Sequence, residues 1–524
     1  MENEQNMGLS LLKKGQKGIM HAIFSRMGLI LLLLAFHIFL LFSAFRWFGN
    51  FLPHIYGGTV LFNVVMVLYL LNCRIDPTAK ITWLIVITLL PVFGALLFGY
   101  TQSDLGHRAL KKRLNELIGQ TRESIPQSQD VLEAVSREAP GAAALARYVG
   151  RTGCYPVYDE TAVTYFPLGE DKWAELLRQL EQAEHFIFLE YFIVDEGLMW
   201  GKILEILAHK AREGVEVRVM YDGTCEFSTL PHDYPKRLEA LGIRCKMFSP
   251  VTPFLSTHYN YRDHRKILVI DGHTAFNGGV NLADEYINRI EKHGHWKDTA
   301  VMLKGEAARS FTLMFLQMWN IDEKEPEFDR FLVYPARGPE DAAGYVMPYG
   351  DCPLDRDKVG ERVYMDILNR AERYVHIMSP YLILDGEMET ALKFAAERGV
   401  DVTLILPGIP DKAAPYALAK THYASLLDSG VKIYEYTPGF VHAKVFVSDD
   451  REAVVGTINL DYRSLYHHFE CATYLCQVPC IPQIEADFQE TLAKCRQATA
   501  QTLREEKLSR RLVGVCLKAI APLL

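Results

Sequence analysis

The sequence predicts an α/β protein of two similar halves, related by an approximate two-fold axis and preceded by N-terminal transmembrane helices. Three observations predict it. His264-Arg265-Lys266-Ile267-Leu268-Val269-Ile270-Asp271 has a counterpart with the same His-x-Lys-x4-Asp spacing, His442-Ala443-Lys444-Val445-Phe446-Val447-Ser448-Asp449. After six intervening residues each copy leads into a turn, Gly278-Gly279-Val280-Asn281 and Gly456-Thr457-Ile458-Asn459. The same strand–helix–strand layout recurs ahead of each copy, while the first hundred residues carry long apolar runs.

Three runs make up the N-terminal part. Residues 27–45 are almost unbroken apolar sequence, interrupted by His37 and Ser43; residues 57–71 and 81–100 are two further uncharged runs. About 20 apolar residues span a bilayer, so the first and third runs are the better candidates and the second is marginal. A cleavable signal peptide would have a shorter apolar region and a small-residue cleavage site. Lys13, Lys14, Lys17 and Arg26 flank the first run, and Arg108, Lys111, Lys112, Arg113 and Arg122 follow the third. Three spans would put these basic flanks on opposite faces; two would put them on the same face. The stretch 107–118 reads as a surface helix leaving the membrane, and 124–129 as a linker.

Beyond it the chain alternates strands and helices. Phe186 to Asp195 is an apolar, aromatic and branched run suited to a buried strand, Lys202 to Ala211 is helical, and Gly214 to Met220 is the next strand. The second half repeats the layout: Tyr374 to Met378, helical Glu387 to Arg398, then Gly399 to Leu406. Such alternation predicts a largely parallel sheet covered by helices. The expected units are a membrane anchor at 1–105, halves at 135–335 and 336–500, and an amphipathic tail at 501–524. The tail is either an interfacial helix or a helix docked on the core.

The motifs carry the chemistry. Residues i and i+2 of a strand share a face, so His264 and Lys266, and likewise His442 and Lys444, project together. A hairpin through Ala275-Phe276-Asn277 and Ala453-Val454-Val455 returns Asn281 and Asn459 towards the histidines. Gly278, Gly279 and Gly456 leave backbone uncovered for an anionic group. Lys266, Lys444, Asn281 and Asn459 are the expected phosphate-binding donors. One neutral imidazole attacks phosphorus, the other protonates the departing alkoxide, and a phosphohistidine results. Asp271 and Asp449 sit at an odd offset and suit turn closure. Asp298 and Glu470 are the candidates to orient the imidazoles. No carboxylate cluster suits magnesium and no helical His-x3-His suits zinc, so neither metal nor cofactor is expected. His293, His295, His467 and His468 read as exposed or hydrogen-bonded loop histidines rather than ligands.

With both motifs in place the chain resembles the phospholipase D superfamily over about residues 141–475. The stretch from Phe440 to Tyr466, and Asp76-Pro77-Thr78-Ala79-Lys80-Ile81-Thr82-Trp83 with Leu89-Leu90-Pro91-Val92-Phe93-Gly94, is similar to bacterial cardiolipin synthases. The resemblance implies catalytic sets His264, Lys266, Asp271 and His442, Lys444, Asp449, with His264 the nucleophile and His442 the acid/base. It also implies a phosphatidylglycerol substrate in the lipid bilayer, cardiolipin and glycerol as products, and a multi-pass protein of the bacterial cell membrane. Within the class, a hydrolase using water, an enzyme using another acceptor alcohol, or one making phosphatidylserine from a nucleotide-activated lipid stays open. Pro253 to Tyr261 reads either as an apolar rim for acyl chains or as a packed loop. The net charge of −8 over 524 residues argues against a nucleic-acid partner. The ten cysteines form no CxxC pair, as suits reduced thiols. A non-catalytic scaffold is disfavoured by intact His, Lys and Asn in both halves.

Overall fold

The computed structural model describes residues 58–102, 108–153, 155–249, 261–334, 338–339, 342–355 and 357–523, together with Phe39 and Ser43. The first apolar run lies outside the described residues but for those two, as does nearly all of the expected acyl rim.

Among the described residues no helix is long and apolar enough to cross a membrane. The spans expected at the second and third runs are therefore not borne out among these residues. The second run forms a helix of 15 residues, Gly58–Asn72. The third run is broken in two: Pro77–Leu89 and Pro91–Gln102. Asp76 caps the first piece by accepting from the N–H groups of Thr78 and Ala79. Leu90 leaves helical geometry, with φ −134° and ψ 72°. Pro91, lacking an N–H, opens the second piece. The pieces touch closely: a Cβ on Gly94 would stand 2.9 Å from the Cα of Ile87.

The body holds two mixed sheets of matching strand order. The first runs Ala162–Phe166, Ala300–Lys304, Thr274–Gly278, Lys266–Ile270, Phe186–Tyr191, Glu216–Asp222 and Arg244–Phe248. The second runs Tyr345–Asp351, His468–Cys476, Glu452–Gly456, Val445–Ser448, Tyr374–Met378, Asp401–Pro407 and Lys432–Tyr436, then adds Cys495–Gln497. In each sheet the last three of these seven strands are parallel and the other pairings are antiparallel. The largely parallel sheet expected from the alternation is therefore corrected: most pairings in each sheet are antiparallel. Helices Leu198–Arg212 and Gly386–Glu397 make the first parallel crossover of each sheet, whereas each motif strand turns straight back as a hairpin. One apolar cluster holds residues of both sheets, among them Val269, Val301, Val455 and Leu475, so the halves share a core.

The helix Arg108–Thr121 does not stand clear of the body. Leu114 and Leu117 are buried, and the Arg113 guanidinium donates to the carbonyls of Asn320, Ile321 and Glu323 at the end of helix Ala308–Trp319. The C-terminal helix Leu508–Lys518 docks on Ala413–Asp428, where a Cβ on Gly514 would lie 2.4 Å from the carbonyl oxygen of Ala417. Its outer face still exposes Leu512 and Val515.

Two short parallel pairings tie one half to the other. Arg262–Asp263 pairs with His468–Phe469, and Gly439–Val441 pairs with His295–Lys297. Each ends beside a motif histidine. The backbone N–H of His264 donates to Phe469 (2.9 Å), and that of His442 donates to Lys297 (2.7 Å). The residue after each acceptor is a carboxylate, Glu470 or Asp298.

Candidate active site

These pairings dictate a crossed arrangement. His264 Nδ1 lies 2.8 Å and 3.0 Å from the two oxygens of Glu470, which belongs to the second half. His442 Nδ1 lies 2.7 Å from Oδ2 of Asp298, which belongs to the first. Both carboxylates are fully buried. Further donors fix them: Thr457 Oγ1 donates to Glu470, and the Thr299 N–H donates to Asp298 (2.8 Å). Both histidines, Asn281 and Asn459 line one cleft of about 610 Å³, walled in part by Phe192, Tyr286, Trp296 and Tyr462.

The electrostatics suit two neutral imidazoles on ionised carboxylates. Burial pushes His442 down to about 4; Lys444 pushes the same way and Asp298 opposes. Burial also holds His264 well below its ordinary value, against the pull of Glu470. Burial pushes the carboxylates up, but His264 holds Glu470, and His442 with Lys444 holds Asp298, below the usual range. An Nδ1–H donated to the carboxylate leaves each Nε2 with its lone pair, the form a nucleophile or base needs.

Lys266 and Lys444 stand behind the imidazoles, each donating to the carbonyl of its own motif histidine. Lys444 Nζ also lies 2.9 Å from His442 Nδ1. Because that nitrogen's proton is directed to Asp298, this contact is a charge placed beside the ring. Burial pushes Lys266 down to about 8 and Lys444 to about 7. Asn281 is engaged at both ends, accepting from the Ile193 N–H (3.0 Å) and donating to the Tyr286 hydroxyl (2.7 Å). Asn459 Oδ1 is buried without a hydrogen-bond partner.

Asp271 and Asp449 do not join this group. Asp271 accepts from the N–H groups of Glu184, His185 and Phe186 at 2.7–2.8 Å, and Asp449 accepts from those of Glu372, Arg373 and Tyr374 at 2.8–2.9 Å. Both have positive φ, 52° and 54°, the left-handed turn that Asp tolerates. Their place among the catalytic residues is thus corrected. They pin the start of the neighbouring strand to the end of the motif strand. Asp271→Ala is expected to destabilise the fold by about 3 kcal/mol, since three hydrogen bonds to a charged acceptor are lost. Calorimetric unfolding would read this as a lowered Tm, with turnover per folded molecule near normal at low temperature.

The glycines also serve a different end from the one expected. A Cβ on Gly279 would lie 2.0 Å from Asp298 Oδ1, and one on Gly456 would lie 2.3 Å from the Ala472 Cβ. They make room for the orienting carboxylate and for close strands rather than for an incoming anion.

His468, read from the sequence as an exposed or hydrogen-bonded loop histidine, is instead a buried residue of the site at the start of strand His468–Cys476. It is 8 % exposed, and neither ring nitrogen has a hydrogen-bond partner. Its ring centroid is 5.3 Å from that of His264, and its Nδ1 is 3.7 Å from Glu470 Oε1. The available signal is its i, i+2 relation to Glu470 on one strand, which puts both on the same face. Donor atoms of His264, His468 and Glu470 lie within 4.8 Å of one another, the metal-ligating types gathered in the cleft among the described residues. Glu470 is already shared by His264 and Thr457.

Comparison with known proteins adds a family. Residues 176–319 and 364–492 match the family described as "Cardiolipin synthase, PLD-like domain". Residues 61–98 match "Phospholipase D-nuclease N-terminal". A Streptococcus mutans protein described as uncharacterized is 59 % identical over 87 % of this chain and 99 % of its own. The cardiolipin synthase of Alkalihalophilus pseudofirmus is 33 % identical over 86 % of this chain and 89 % of its own. Among solved structures, phosphatidylserine synthase of Haemophilus influenzae shares the fold, with a TM-score of 0.56 at 15 % identity over 72 % of this chain and 97 % of that one.

Proposed function

The chain belongs to the phospholipase D-like cardiolipin synthase family and is a phosphatidyltransferase of that superfamily, and from that premise we propose that it joins two phosphatidylglycerol molecules into cardiolipin and glycerol. The observation that carries the proposal is the crossed pair of imidazole–carboxylate contacts, His264–Glu470 and His442–Asp298, opening on one cleft.

In the proposed reaction the diester anion enters between the imidazoles and raises both pKa values, so that His442 takes up a proton. His264 Nε2 attacks phosphorus, the phosphorus–oxygen bond to glycerol breaks, and His442 Nε2 supplies the proton to that glycerol. The product is a phosphatidyl-His264. The primary hydroxyl of a second phosphatidylglycerol then attacks, His442 takes its proton, and the phosphorus–nitrogen bond breaks. Lys266 and Lys444 supply positive charge near the phosphoryl group, and Asn281 and Asn459 position it.

The lipid substrate fits an enzyme held at a bilayer surface. Leu61, Leu68 and Leu71 of the N-terminal helices and Leu512 and Val515 of the C-terminal helix are exposed apolar side chains suited to shallow insertion. The full chain should co-sediment with liposomes; recovery in the supernatant at all lipid concentrations would exclude this.

The test of function is incubation of the purified protein with labelled phosphatidylglycerol, followed by mass spectrometry. Cardiolipin with equimolar glycerol is expected. Phosphatidic acid as the only lipid product would make the protein a hydrolase, and transfer only to an added alcohol would assign another acceptor.

A pH dependence follows from the lysines. A lowered lysine pKa means the cation is present below that value and lost above it. Because kcat/KM reports the free enzyme, it should fall as pH rises through 7 to 8, where Lys444 and then Lys266 lose their protons. Lys444→Arg, whose guanidinium stays charged, should lower kcat/KM but remove the break near 7. A profile that is flat between pH 6.5 and 9 would contradict the assignment.

A further inference from the structure

Two separate apolar patches line the cleft that holds the motif histidines. The first is the set of rings around His442: Tyr286, Trp296 and Phe440, with centroids 5.4–5.9 Å from the imidazole. These rings belong to the core of the first half. The second is a small cluster of its own, Leu418, Tyr462 and Ala521, with Ile383 and Leu517 packed on it. Ile383 and Leu517 are only half-buried and line the cleft. Two of the five, Leu517 and Ala521, come from the C-terminal tail, beyond the segments that match the family. The tail is held in place at both ends of this stretch. Gly514 fits tightly against the backbone of Ala417, and the Thr82 hydroxyl of helix Pro77–Leu89 donates to the Ala519 carbonyl (2.9 Å). On the outside of the same helix Leu512 and Val515 are exposed. Apolar surface thus runs from the wall of the cleft to the outer face of the tail.

We propose that this second patch is an alkyl-chain subsite: a hydrocarbon chain of the diester held at the imidazoles seats on Ile383 and Leu517, over Leu418, Tyr462 and Ala521. The inference rests on reading the cleft as a phosphodiester site and deepens it by fixing the substrate class as diesters that carry a long chain. Continuity selects the occupant, because the patch and both motif histidines line one cleft. So does its chemistry. Four of the five side chains carry no polar atom, and a polar group seated there would lose its hydrogen bonds to water. A hydrocarbon gains contacts that the half-buried Ile383 and Leu517 otherwise lack. A chain leaving past Leu517 meets the apolar outer face of the tail. Binding energy from this remote part of the substrate holds the phosphorus against the imidazoles.

The test uses the full chain and two chromogenic diesters, p-nitrophenyl methyl phosphate and p-nitrophenyl octyl phosphate, below the concentration at which the latter forms micelles. Release of p-nitrophenolate gives kcat/KM. The wild type should favour the octyl ester by roughly 10²-fold, since each buried methylene is worth about four-fold. Leu517→Gln and Ile383→Gln, which put an amide on the patch, should each lower kcat/KM for the octyl ester by roughly 10-fold and leave the methyl ester within about two-fold. Leu517→Trp, which fills the subsite, should act the same way. The methyl ester therefore reports folding and chemistry within each variant. Leu508→Gln, on an exposed side chain of the same helix outside the cleft, should change neither. Equal rates for the two esters in the wild type would overturn the proposal. So would equal losses on both esters in the Leu517 and Ile383 variants, or the octyl-specific loss in Leu508→Gln. Cardiolipin formed from phosphatidylglycerol without any octyl preference would sink the subsite and spare the lipid reaction. An octyl preference that Leu517→Gln removes, with phosphatidylglycerol left untouched, would keep the subsite and sink that lipid as substrate. No cleavage of either ester would strike the diester site itself, and the subsite with it.

Discussion

His264→Ala and His442→Ala are each expected to reduce turnover of phosphatidylglycerol by roughly 10⁴–10⁶-fold, as removal of a nucleophile or its proton partner does elsewhere. The two losses should differ in kind. A substrate with a p-nitrophenolate leaving group needs no proton to depart. With it, His442→Ala should still form the phosphatidyl-enzyme and release a burst of p-nitrophenol. That adduct should then persist, because no base remains to activate the incoming hydroxyl. His264→Ala should give neither burst nor adduct. Digestion and mass spectrometry of the trapped protein would locate the phosphoryl group on the peptide carrying His264. A burst in His264→Ala and none in His442→Ala would reverse the roles, which the near-symmetric geometry of the two imidazoles permits. Bursts in both, or full activity in either, would end the two-histidine mechanism.

What the sequence discloses and what it withholds divide along contact range. The His-x-Lys-x4-Asp copies, their hairpins and the strand–helix–strand units are local patterns, and the strands Lys266–Ile270 and Val445–Ser448 lie inside the motifs that announce them. Glu470 and Asp298 stand out by their matching positions, but the histidine each serves depends on contacts across 206 and 144 residues. No periodicity reports such a pairing; it arises where Phe469 and Lys297 accept hydrogen bonds from the opposite half. Asp271 misleads for the opposite reason. Its membership of the motif suggests chemistry, while its carboxylate is consumed by three backbone N–H groups 85 to 87 residues earlier. The apolar run at 81–100 looks continuous across Leu90-Pro91, although a proline in such a run is a visible signal that a helix ends or restarts. Gly279 suggests open space, when a neighbouring carboxylate already fills that space.

The crossed carboxylates lead to the second large effect. Glu470→Gln and Asp298→Asn remove the charge that stabilises each imidazolium and free the ring to take the wrong tautomer, so losses of roughly 10²–10⁴-fold in kcat are expected. The defect should follow the contact and not the half of the chain in which the substitution lies. Glu470→Gln should resemble a fault in His264: a slow burst with the p-nitrophenyl substrate. Asp298→Asn should resemble a fault in His442: a normal burst followed by slow release. Double substitutions sharpen the point, because residues that act as one unit are strongly non-additive. His264→Ala with Glu470→Gln should be no worse than His264→Ala alone, and the same should hold for His442→Ala with Asp298→Asn. The uncrossed combinations should compound whenever the single losses leave activity to measure. If Glu470→Gln slowed release while Asp298→Asn slowed the burst, each carboxylate would be acting on the histidine of its own half, and contacts of 2.8 Å and 2.7 Å would have no part in catalysis. Neither half could then be called incomplete alone. With the expected outcome, each half carries an imidazole that it cannot orient and a carboxylate that it cannot use, which gives a physical reason for the duplicated unit to work only as a pair.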